Sequence, residues 1–78
     1  MKYEIKTTDT GCDYTVLDSL EECSKWVKMN IFELERNNAR YVEIINDEDH
    51  DELVFYDNVT WENGVSNLKE IAAKITKC

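Results

Sequence analysis

Residues 40–57 read RYVEIINDEDHDELVFYD, two apolar runs on either side of an acidic centre. Arg40 to Asn46 and Glu52 to Asp57 have the apolar and polar mixture of half-buried strands, and the five residues Asp47 to Asp51 between them are all polar. Together they predict an antiparallel hairpin with an acidic tip. Val42 and Ile44 are expected to face inward with Leu53 and Phe55. Tyr41, Glu43, Ile45, Val54 and Tyr56 then share the outer face. A slip of one residue would exchange the two faces, because side chains alternate along a strand with period two.

The flanking sequence supplies what such a hairpin packs against. Tyr3 to Thr7 alternates as a strand, Asp9-Thr10-Gly11 carries turn chemistry, and Tyr14 to Leu17 is a second short strand. The pair predicts a first hairpin with Tyr3, Ile5, Tyr14 and Val16 toward the core. Ser19 with Glu22 three residues on is a capping box that opens a helix. Leu20, Cys23, Val27, Ile31 and Leu34 form its apolar stripe, and the helix is expected to run to about Arg36 and fray at Asn37-Asn38. Trp26 falls at the edge of that stripe, and Met29 and Phe32 fall off it. After the second hairpin Asn63-Gly64 breaks the chain, and Ser66 or Asn67 caps a last helix with Leu68, Ile71, Ala72 and Ile75 on one face. The expectation is one α+β domain over residues 1–78. It is a two-layer ββαββα arrangement, an antiparallel sheet of about four strands with two helices packed on one face.

Charge is distributed unevenly over this frame. The 78 residues carry a net −8, and residues 41–68 contain eight acids and no Lys or Arg, so the rest of the chain balances to zero. Lys and Arg drive nucleic-acid binding by displacing counterions from phosphates, so direct binding to nucleic acid or to an anionic membrane is not expected. Attraction runs toward basic proteins and cations. The first residues show no apolar leader and no run approaches the length of a membrane span, which points to a cytoplasmic protein. Cys12, Cys23 and Cys78 have no paired spacing and are expected as reduced thiols, with Cys23 buried and inert.

No motif for chemistry is complete in this sequence. Asp47, Asp49 and Asp51 match the first ligand spacings of a calcium loop, but Glu52 stands where the sharp turn needs Gly and Asn58 where the bidentate Glu belongs. His50, on the same tip, has no apolar pocket to tune it. Neither an enzyme nor a cofactor or metal site is expected. What remains is surface: Asp47, Glu48, Asp49, Asp51, Glu52, Asp57 and Glu43 for steering, with Tyr56, Trp61, Tyr41 and Phe32 as aromatic anchors.

In its Met1-Lys2-Tyr3-Glu4-Ile5-Lys6 opening strand, its Ser19-Leu20-Glu21-Glu22 helix start and its acidic second hairpin, the chain resembles the small acidic proteins with which phages block host defence, anti-CRISPR proteins among them. The resemblance covers the chain in outline and carries over no residue's role. It implies an inhibitor that occludes a basic surface, nucleic-acid-binding surfaces included, on a larger host protein in the host cytoplasm, with carboxylates standing in for phosphates. The alternative is a homo-oligomer, most simply a homodimer, a structural or regulatory domain that buries its outward aromatics against a second copy.

Overall fold

A computed structural model describes residues 2–7, 14–46, 53–56 and 59–76. The elements in chain order are β1 (Tyr3–Thr7), β2 (Tyr14–Leu17), α1 (Leu20–Met29), α2 (Ile31–Arg36), β3 (Val42–Asn46), β4 (Leu53–Tyr56), β5 (Trp61–Glu62), β6 (Val65–Ser66) and α3 (Leu68–Ile75). The fold is α+β. Its main sheet is antiparallel in the order β2-β1-β3-β4, and β5 and β6 pair separately. The expected ββαββα order is therefore incomplete, because the first helix divides and a short hairpin precedes the last.

Register decides which side of the sheet is dry. Ile5 pairs with Ile44 and Thr7 with Val42, and all four are buried. The same core takes Cys23 and Val27 from α1, Leu34 from α2, and Leu68, Ile71, Ala72 and Ile75 from α3, so the described helices cover this one face. Across the other edge of β1, Tyr3 pairs with Leu17 and Ile5 with Thr15. Leu17 packs against the core while Val16, expected inside, stands opposite Glu4 and is 52% exposed. Period two allows only one of two adjacent apolar residues inward, and the larger Leu17 takes that place. The second hairpin shows the slip that alternation permits. Val42 pairs with Tyr56 and Ile44 with Val54, so positions 54 and 56 share the row of Val42 and Ile44 that Leu53 and Phe55 were expected to share.

The helix begins as its cap predicts. The Ser19 hydroxyl accepts from the Glu22 N–H at 3.1 Å, and the Glu22 carboxylate reaches one residue past the cap to accept from the Asp18 N–H at 2.9 Å. It does not run unbroken to Arg36. At Asn30 the side-chain amide donates to the Trp26 carbonyl at 2.8 Å, and the backbone N–H is shared between the Trp26 and Val27 carbonyls. A short polar side chain that competes for backbone partners locally is what separates α1 from α2. Nor do Asn37 and Asn38 fray. Asn38 sits at φ 55°, the Ala39 N–H donates to the Leu34 carbonyl at 2.9 Å and the Asn38 N–H to that of Glu35 at 3.2 Å. This is a Schellman cap, with Leu34 and Ala39 buried as its apolar contact. The helices are joined deep in the core, where the buried Ser24 hydroxyl donates to the Ala72 carbonyl at 2.7 Å.

Candidate functional site

The β5–β6 hairpin organises the exposed apolar surface. Asn63 and Gly64 have φ of 53° and 78°, both positive as a two-residue type I′ turn requires. The base of the hairpin is clamped by Asn67, whose side-chain oxygen accepts from the Thr60 N–H at 2.8 Å and whose own N–H donates to the Thr60 carbonyl at 3.2 Å. The Val59 N–H donates to the Arg40 carbonyl at 2.8 Å, tying the segment to the start of β3. Trp61, 42% exposed, and Val65, 67% exposed, are thereby held out on a short braced ribbon.

Two depressions flank it. One, of about 400 Å³, is bordered by Glu62, Asn63, Val65, Ser66, Asn67 and Glu70, with two carboxylates and no base among the described residues of its lining. The other, of about 420 Å³, lies between the α1–α2 segment and the hairpin tip. Ile31, Phe32 and Val65 form its apolar walls, with Lys28, Glu35 and Lys69 around them. Phe32 is 87% exposed and Met29, one turn earlier, is 83% exposed, the two positions that fell off the helix stripe.

Among the described residues, the expected site residues fall on different elements. Phe32 belongs to the groove with the two lysines. Tyr41 is partly buried at the start of β3, near the Val59 to Trp61 segment through the Arg40 bond. Glu43 is partly buried on the outer face, opposite Lys6. Tyr56 is in register with the buried Val42, on the row opposite to the outer one expected for it. Asp47, Glu48, Asp49, Asp51, Glu52 and Asp57 lie outside the described residues, as do His50, Cys12 and Cys78. At roughly 3.3 Å per residue, Asn46, which leads into the acidic tip, is about 16 Å along the strand from Tyr41. The sequence places Val65 only alongside the stripe of the last helix and gives Glu70 no part, whereas the fold brings Val65 to the Phe32 groove and Glu70 to the depression beside Glu62.

Cys23 is the described thiol. Burial pushes it up to about 11, with the charge of neighbouring Glu22 adding to the effect, so it stays protonated and inert. Among the described residues no three His, Cys, Asp or Glu side chains converge as a metal centre, and no helix is long and apolar enough to cross a membrane. The structure thus defines a small α+β protein. Compared with protein-family models, curated proteins and solved structures, the chain matches none.

Proposed function

We propose that the chain is a non-enzymatic protein-binding module that uses carboxylates to steer and aromatics to anchor on a basic surface of a larger protein. In biological terms it acts as a phage-type inhibitor, occluding a surface that a nucleic acid would otherwise occupy. The observation that carries this reading is Trp61, displayed on a clamped hairpin beside the carboxylate-lined depression of Glu62 and Glu70. Trp61 and Glu62 belong to the same base-free stretch that holds the eight acids. An exposed Trp is a favoured anchor in protein interfaces, and like-signed charge around it raises the rate of encounter with a partner of opposite sign. Phe32 stands apart from this surface, because its immediate surroundings contain Lys28 and Lys69.

The test is capture of partners from a bacterial lysate by the protein and by a variant with Asp47, Glu48, Asp49, Asp51, Glu52 and Asp57 changed to Asn or Gln. A captured basic protein should bind the variant with an association rate lower by about tenfold or more at low salt, the difference shrinking as salt rises. Trp61→Ala should instead speed dissociation. A partner that associates with the neutralised variant as fast as with the original at low salt would sink the reading.

A further inference from the structure

The lysine-bordered groove has a different logic from the acidic surface, and what it accommodates does not depend on the reading above. Its apolar walls, Ile31, Phe32 and Val65, are bordered on one helical wall by Lys28 and Glu35. Lys28 at the end of α1 lies four residues before Phe32, and Glu35 on α2 three residues after it, so the α1–α2 segment lines the groove with a positive end, an apolar middle and a negative end. A surface with this order is complementary to itself when turned end for end. A two-fold axis near Phe32 sets Lys28 of each copy against Glu35 of the other, which is the condition for an isologous interface.

We propose that this groove is the dimer interface of the protein and that its occupant is the Met29–Phe32 ridge of a second copy. Each ridge enters the other copy's groove, so both exposed side chains leave water together and the methionine sulfur meets an aromatic ring, a favoured contact. The groove of about 420 Å³ has room for such a side chain. An aromatic side chain alone buries roughly 150–250 Å². With Met29 and Val65 added, the apolar part reaches about half of the roughly 800 Å² per partner of a standard interface. Lys28, Glu35 and Lys69 supply a polar rim. Gly64, Val65 and Ser66 of the groove belong to the base-free stretch, and Val65 and Ser66 also line the acidic depression, so the dimer contact adjoins that depression.

Sedimentation of the full chain from about 10 μM to about 1 mM tests this directly. The expected result is a concentration-dependent dimer that Phe32→Ser returns to monomer. Lys28→Glu and Glu35→Lys each place like charges across the axis and should each weaken dimerisation about tenfold or more. An equimolar mixture of those two variants restores opposite charges at both contacts and should dimerise again. Circular dichroism of each variant confirms that these surface changes leave the fold in place. A wild-type protein that is monomeric throughout the range overturns the proposal. So does a dimer indifferent to Phe32→Ser, or a mixture that stays monomeric.

Discussion

At the scale of single residues, burial decides behaviour more than chemistry does. Cys23 and Ser24 are neighbours on α1, nearly the same size, and both are inside. Ser24 is satisfied by the Ala72 carbonyl, which makes it a specific link between two helices rather than a buried polar loss. Cys23 has its thiol raised from 9.0 to about 11. A folded value above the unfolded one contributes stability that is complete below about pH 9 and is lost as pH rises toward 11, because the unfolded chain ionises first. The urea midpoint should therefore fall between those limits, and it should fall less steeply in Cys23→Ala. All other groups are common to both proteins and cancel in the comparison. Identical slopes would show that the thiol contributes nothing to the pH dependence. The place of Cys23 was legible from the 3.6-residue stripe alone. That of Ser24 was not, since a hydroxyl beside the stripe reads as solvent-facing until its partner 48 residues away is known.

At the scale of elements, the sequence shows where structure occurs better than how it ends or pairs. Periodicity located the first helix correctly but could not see the break at Asn30, because the Leu34 N–H still bonds the Asn30 carbonyl at 2.9 Å and the apolar stripe continues in phase. The register of β4 was equally hidden. Leu53, Val54, Phe55 and Tyr56 are all apolar or aromatic, so alternation offers no preference between the two faces, and pairing with β3 settles it. The β5–β6 hairpin escaped notice because its strands are two residues each, too short for any period, although Asn63-Gly64 is a strong turn signal. Its dependence on that turn is testable. Gly64 sits at φ 78°, and an added Cβ would meet nothing within 4 Å, so Gly64→Ala introduces backbone strain without a clash. The expected cost is about 1–2 kcal/mol. It should appear as a lower melting temperature. An unchanged melting temperature would mean that the hairpin opens independently of the core it adjoins.

At the scale of the molecule, the quantities that matter are charge and size together. The charge asymmetry was fully legible in the sequence, because counting acids and bases requires no coordinates. The convergence of Lys28 and Lys69, 41 positions apart in the chain, on one groove required the fold. The protein measures 38 × 26 × 20 Å. At 0.01 M salt the Debye length is about 30 Å, so the surplus acids repel one another across most of the molecule. Near 0.15 M it is about 8 Å, well under the shortest dimension, and repulsion survives only between near neighbours. Added salt should therefore stabilise the folded state, whereas it would weaken a protein held by exposed ion pairs. Raising NaCl over that range should increase stability by about 1 kcal/mol, roughly 4–8 °C in melting temperature. The variant with the six acids of 47–57 neutralised should start more stable at low salt and respond less, since it lacks most of the charge being screened. Sodium sulfate at matched ionic strength separates screening from general salting effects, because screening alone predicts the same rise for both salts. A melting temperature flat from low to physiological salt would show that repulsion among the acids of this stretch does not strain the fold.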